Sequence, residues 1–345
     1  PLRRQGAGLV PVPGWDDAHQ WTGWIPFEEL PSLHNPENGW IITANNRLHS
    51  DSYPYLLTGE WLPDNRARRI RQLLERLENQ TLDDHARIQL DTVSLQAREF
   101  MALALPLAET WQNQDEELRL ALSLLEQWDG DMHAGLVAPT IYKGWLVHFA
   151  QAVIRQAVGL ELAAQLFKTS PPETFQADPF LEISLDLSLQ WLASGTPAWA
   201  GDIKPLLLPS LRKTLRLLHR QFGNDPEKWV WGNLNQIRHE HPLTRLPGLG
   251  RSWKTEAIPV SGDSQTVNQA DTAPHFPPNP VEIIASCRML IDVGDWDNSL
   301  AVLPGGQSGH PGSAHYEDGL LDWRNGRYHP ILFSRERVEA AAESI

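Results

Sequence analysis

At 345 residues the chain is long enough for one large domain or two ordinary ones, and its 41% hydrophobic content without a bilayer-length apolar run marks a globular protein. Against 43 acidic residues stand only 29 basic ones, a net charge of −14, which disfavours a nucleic-acid partner because phosphates demand clustered Lys and Arg. One cysteine, Cys287, excludes an intrachain disulfide, and its place in the apolar run 283–293 reads as a buried, inert thiol.

Residues 1–39 are rich in Pro, Gly and Trp, lack helical periodicity, and read as an extended segment with turns at 14–17 and 35–39. In the second turn Pro36 fixes φ and Gly39 is free to take φ > 0. Residues 40–44, Trp-Ile-Ile-Thr-Ala, are apolar and β-branched, predicting a short buried strand that ends at Asn45-Asn46. Asp64 or Asn65 caps a helix opening with Arg66, in which Ile70, Leu73, Leu74 and Leu77 share one face and the basic run 66–71 reads as a solvated one. Thr81 and Asp84 form a capping-box pattern. Helices follow over 85–105, 116–128, 140–166, 181–192 and 203–222.

After Gly223 the composition turns to Gly and Pro. Residues 244–280 predict a long ordered loop with short strands such as 257–260. A hairpin is predicted from 281–293 and 300–303 around a turn at 295–298, and a short helix over 334–344. The chain therefore divides into an extended segment with a core strand (1–65), a helical region (66–222), and a loop with returning strands and a C-terminal helix (223–345). Strands at both ends with helices between are not an alternating βαβ pattern, so the fold class is α+β.

Several blocks carry a resemblance. They are Pro-Val-Pro-Gly at 11–14, Trp-Thr-Gly-Trp-Ile-Pro-Phe-Glu-Glu-Leu-Pro at 21–31, Asn35-Pro36, and Thr-Ala-Asn-Asn-Arg at 43–47. Near the other end stand Gly-Gly-Gln-Ser-Gly-His-Pro at 305–311 and His-Tyr-Glu-Asp at 315–318. In this order they resemble the penicillin acylase family of N-terminal-nucleophile amidohydrolases, which includes acyl-homoserine-lactone acylases. The resemblance implies part of an αββα core with a large helical insertion, and the C-terminal portion of the family's large chain.

It further implies hydrolysis of N-acyl amide bonds, in penicillins, acyl-homoserine lactones or related amides. The nucleophile would be an N-terminal serine freed by self-cleavage of a precursor, with its own α-amine as base. The implied location is periplasmic or extracellular. No membrane span is expected, and the implied partners are the rest of the large chain and the small chain of the same precursor.

Read alone, Asn45-Asn46 is a strand end or a turn. The resemblance implies that Asn45 donates its side-chain amide to the oxyanion of the tetrahedral intermediate, a role suited to a donor that does not ionise. It also implies that Arg66, picked out by its spacing from the Asn pair and by Leu73-Leu74-Glu75, positions the active site. No cofactor is required. The family often binds calcium through an acidic residue shortly after the Tyr-Pro that matches Tyr53-Pro54, but here Leu57 stands at that place and has no oxygen to offer.

The chain begins Pro1-Leu2-Arg3 without Met, signal peptide, or a Ser, Thr or Cys at position 1. The gene product's own N-terminus is therefore expected elsewhere, and this chain alone is expected to be inactive. A non-catalytic binding or assembly domain that keeps the fold is the alternative.

Three further motifs have bland readings. Residues 306–310, Gly-Gln-Ser-Gly-His, approach a nucleophile elbow but lack its last glycine and its strand-turn-helix setting, so Ser308 and His315 read as parts of a turn. His239-Glu240-His241 lacks a third ligand at metal spacing. Residues 262–268, Gly-Asp-Ser-Gln-Thr-Val-Asn, resemble a family block with no assigned role and read as a buried polar turn.

Overall fold

Two strands open the chain, β1 (Leu2–Arg3) and β2 (Trp21–Gly23), paired antiparallel within an otherwise extended N-terminal segment. The predicted turn at 35–39 closes with Gly39 N donating to Pro36 O at 2.9 Å and Gly39 at φ +76. In this computed structural model the described residues are 1–108, 111, 115–167, 179–239, 256–272, 276–278 and 280–342.

Among the described residues eight α-helices then follow: α1 (Asn65–Leu74), α2 (Leu82–Gln89), α3 (Leu95–Ala108), α4 (Glu116–Glu126), α5 (Ala138–Val158), α6 (Leu160–Leu166), α7 (Pro179–Ser194) and α8 (Leu207–Phe222). Thr81 and Asp84 form the full capping box of α2, each side chain accepting from the other's backbone N–H. The predicted single helix over 85–105 is two helices. Asp91 accepts from Val93 N at 3.2 Å and Ser94 Oγ accepts from Ala97 N at 3.1 Å, so short polar side chains end one helix and start the next. The predicted helix over 140–166 likewise divides at Gly159, whose φ of +83 leaves the helical region.

Helix α5 is the axis of the core. Ile141, Tyr142, Trp145, Leu146 and Phe149 are all fully buried on it, and Trp145 Nε1 donates to Leu207 O at 2.9 Å, tying it to α8. Leu207, Leu211, Leu215 and Leu218 recur every three or four residues and give α8 one buried stripe against α5. Full burial of one Leu or Phe side chain contributes about 1.5–3 kcal/mol, so this helical cluster dominates the apolar stabilisation.

Beyond α8, described residues pair into small antiparallel sheets. These are β3 (Gln236–Ile237) with β4 (Ile258–Pro259), β5 (Ala270–Asp271) with β6 (Ile283–Ile284), and a sheet of β7 (Arg288–Leu290), β8 (Leu300–Val302) and β9 (His329–Pro330) in that order. The predicted hairpin is β7–β8, with Arg288 opposite Val302 and a 3-10 turn at Trp296–Asn298 capped by Asp295. Ile237, Val260, Ala270, Val281, Val302 and Trp323 form a second, smaller core under these strands. Helices α9 (Leu320–Arg324) and α10 (Arg335–Ala341, capped by Ser334) complete the chain.

Three expectations change. Residues 40–44 form no strand: no other strand runs beside them among the described residues, and Ile41 is 60% exposed. Apolar β-branched composition favours extension but cannot supply the neighbouring backbone a strand needs. Cys287 is exposed, because along β7 Arg288 and Leu290 face inward and the alternate positions face out. The basic run 66–71 is not uniformly solvated: Arg69 is buried and Arg66 half-buried.

Candidate functional site

The N-terminus of α1 is fixed by polar contacts rather than by a side-chain cap. Asp64 occupies the cap position, but its carboxylate accepts from Arg68 Nε at 2.8 Å. Arg68 also donates to Asn65 Oδ1 at 2.6 Å and pairs with Glu99 at 2.7 Å. Arg69 makes a two-pronged pair with Asp91, Nε to Oδ1 at 2.8 Å and Nη2 to Oδ2 at 2.7 Å, both groups largely shielded from water.

Arg66 reaches away from the helix to the Asn pair. Its Nη2 donates to Ala44 O at 3.0 Å and to Asn45 Oδ1 at 2.8 Å. The two residues singled out by the resemblance, 21 positions apart, are thus in direct contact. A guanidinium can only donate, so the atom it binds must be the amide oxygen, and the outward-facing end of Asn45 is the Nδ2 donor.

Asn45 adopts φ +63, a left-handed conformation that Asn tolerates better than most residues. Its carbonyl accepts from Leu62 N at 3.1 Å. Its neighbour does different work: Asn46 Oδ1 accepts from Ala44 N at 3.1 Å and Nδ2 donates to Arg47 O at 3.1 Å, closing the turn. Burial lowers the pKa of Arg66, and the charge of Asp271 partly offsets this.

The block at 262–268, left without a role by the sequence, and Asp271 just beyond it hold this arrangement. Gln265 Oε1 accepts from Asn65 Nδ2 at 3.0 Å, anchoring the start of α1. Asp263 accepts from Gln265 N at 2.8 Å and faces Lys143 of α5 at 3.4 Å, both side chains buried. Asp271 brings negative charge toward Arg66. Gly262 is required here: at φ +95 an added Cβ would lie 2.1 Å from Asn268 O. The dense run of small polar residues after this glycine was the available signal, and it gave the turn but not its neighbour.

The Tyr-Pro loop fastens to the N-terminal segment. Tyr53 OH donates to Glu29 O at 3.0 Å and Tyr55 OH to Glu29 Oε2 at 2.5 Å, the latter bond raising the Tyr55 pKa. Leu57 beside this loop offers no donor to calcium, and no group of three or more His, Cys, Asp or Glu is placed to hold a metal among the described residues.

At the competing motif, Ser308 Oγ accepts from His310 N at 3.1 Å and Ser308 N donates to His315 O at 2.9 Å. His315 pairs with Asp318 at 2.8 Å, but no hydrogen bond joins its ring to the Ser308 hydroxyl, as an activated nucleophile requires. These residues build a turn. His239 is half-buried, and burial lowers its pKa; Glu240 and His241 lie outside the described residues.

The profile of the family described as Penicillin amidase matches residues 1–340. The chain belongs to the penicillin amidase family. It is 32% identical to the penicillin acylase 2 proenzyme of Pseudomonas sp. (strain SE83), across 99% of this chain and 42% of that protein. It is 27% identical to the acyl-homoserine lactone acylase QuiP of Pseudomonas aeruginosa, across 98% of this chain and 43% of that one. A solved structure, a thermostable penicillin G acylase from Alcaligenes faecalis, superposes with a TM-score of 0.64 at 18% identity, covering all of this chain and 63% of its own. At that identity the likeness is one of fold. The chain spans about two-fifths of the length of the curated relatives named here.

Proposed function

We propose that this chain supplies the oxyanion-stabilising part of an acylase that cleaves N-acyl amide bonds. The single observation that carries the reading is the Arg66–Asn45 bond at 2.8 Å. It fixes which end of the amide faces outward, on a backbone whose Asn45 carbonyl accepts from Leu62 N and whose preceding N–H, at Ala44, donates to the Asn46 side chain. Attack on an acyl carbonyl moves negative charge onto its oxygen. A donor oriented in advance then stabilises that charge without reorganising.

The nucleophile is an N-terminal serine supplied by polypeptide outside these 345 residues. Its α-amine, with a pKa near neutrality, takes the hydroxyl proton. The amine product leaves, and water releases the acid from the acyl-enzyme. The family, and relatives named as penicillin and acyl-homoserine lactone acylases, favour N-acyl amides of these classes as substrates.

The partners are the remainder of the large chain and the small chain of one precursor. Trp15, Trp24 and Phe27, exposed at 86%, 70% and 86%, are apolar side chains of the kind a partner covers. The proposed location is periplasmic or extracellular, and no described helix is long and apolar enough to cross a membrane.

The test is Asn45→Gly in the intact, processed protein. Because Asn45 sits at φ +63, glycine removes the amide without straining the backbone, which alanine would do. Loss of one oxyanion donor lowers kcat about 10²–10³-fold. KM and melting temperature should hold, with processing checked separately. A processed Asn45→Gly protein with near-normal kcat would refute the assignment.

A further inference from the structure

We propose that the cleft between the helical core and the strands β3, β4 and β7 binds a small carboxylate carrying an apolar tail. The cleft has a volume of about 720 Å³, and neither Asn45 nor Arg66 lines it. Its size falls in the range of about 300–1,000 Å³ usual for small-molecule sites.

Charge points to an anion. The chain has 43 acidic residues, yet among the described residues no Asp or Glu lines this cleft, whereas Arg288 and Arg324 both do. Arg288 is only 3% exposed. Its Nη1 donates to Trp323 O at 2.6 Å and its Nη2 to Asn268 Oδ1 at 2.8 Å, while Nε has no partner. Both acceptors are neutral, and no carboxylate pairs with Arg288 among the described residues. A buried cation without a counter-ion is costly, and a bound anion offsets that cost.

Arg324 stands exposed at the last turn of α9, with no ion pair among the described residues. His133 adds a ring donor: its Nδ1 accepts from Gly135 N at 3.1 Å, which leaves Nε2 as the nitrogen that donates. The apolar side of the cleft selects the tail. Val230, Val260 and Trp323 line it, and the Trp323 ring is stacked 4.4 Å under the Arg288 guanidinium. A carboxylate at the arginines with a hydrocarbon chain along these residues matches both halves of the wall.

Calorimetry on the intact protein that carries this chain, with octanoate, octanamide and inorganic phosphate as probes, tests the proposal. Octanoate should bind saturably and weaken with added salt. Octanamide should bind about tenfold more weakly or worse, because it loses the charge-assisted contacts. Arg324→Gln lies on the surface, should melt like the parent, and should weaken octanoate about tenfold. Equal binding of octanoate and octanamide, phosphate binding as tightly as octanoate, or an unchanged octanoate affinity in Arg324→Gln would overturn it. So would the absence of octanoate binding, as when another segment of the same polypeptide covers the cleft.

Discussion

The same conservative replacement at two arginines one turn apart should have opposite consequences. Arg69 and Asp91 exchange two short bonds, with side chains 8% and 13% exposed. Lysine keeps the charge but presents a point donor in place of the planar fork, so Arg69→Lys gives up one charge-assisted bond. That costs about 1.5–3 kcal/mol of stability. Arg69→Ala, which strands the Asp91 carboxylate, should cost about 3–5 kcal/mol. Neither should lower kcat of the protein that remains folded by more than a few-fold.

Arg66 holds two neutral acceptors, Ala44 O and Asn45 Oδ1, from a half-buried position. Arg66→Lys should cost only about 1 kcal/mol of stability, but it frees the Asn45 amide to rotate. A barrier increase of about 1.4 kcal/mol is a tenfold loss of kcat, the effect expected here. The assays are denaturant midpoints and steady-state kinetics on intact protein, with Arg66→Lys also placed in an Asn45→Gly background. With the amide gone there is nothing left for Arg66 to orient, so the second change should add little. An unshifted midpoint for Arg69→Lys, or fully additive kcat losses for Arg66→Lys and Asn45→Gly, would refute the division of labour.

Asn46→Ala removes the bonds that close the turn, so it should lower stability by about 1 kcal/mol and kcat much less than Asn45→Gly does, read in the same two assays. His148, bonded to Thr214 Oγ1 at 2.8 Å, has its pKa pulled from 6.5 to about 3 by burial first and then by the charges of Lys213, Arg155 and Arg216. The unfolded chain takes up this proton before the folded one. The contribution is thus fully present above about pH 6.5 and is lost progressively as pH falls toward 3. An uncharged His148→Gln protein should show a flatter acid limb in stability against pH, and an unchanged slope would contradict this. Residues 1–345 purified alone should hydrolyse no amide. Saturable acylase activity from them would return attention to Ser308.

Much of the helical architecture was legible locally. Capping at Thr81 and Asp84, leucine spacing in α8 and the turn at Asp295 are all set by side chains within a few residues of the backbone they control. The α+β class and the family followed from order and pattern. Asn45 and Arg66 were selected by resemblance, and their contact was not readable, because it joins positions 21 apart through a turn of left-handed backbone.

Tertiary structure alone decided the rest. The apolar run 40–44 has strand composition, but a strand exists only beside a partner, and none lies there among the described residues. Neighbouring arginines look alike in sequence, yet Arg66 meets Asn45, Arg68 meets Glu99 and Arg69 meets Asp91. The block at 262–268 reads locally as a polar turn, and only packing places Gln265 against Asn65 and Asp263 against Lys143, 200 and 120 residues away. Sequence pattern reports which groups want burial or a partner; which partner they receive depends on distances that only the folded chain sets.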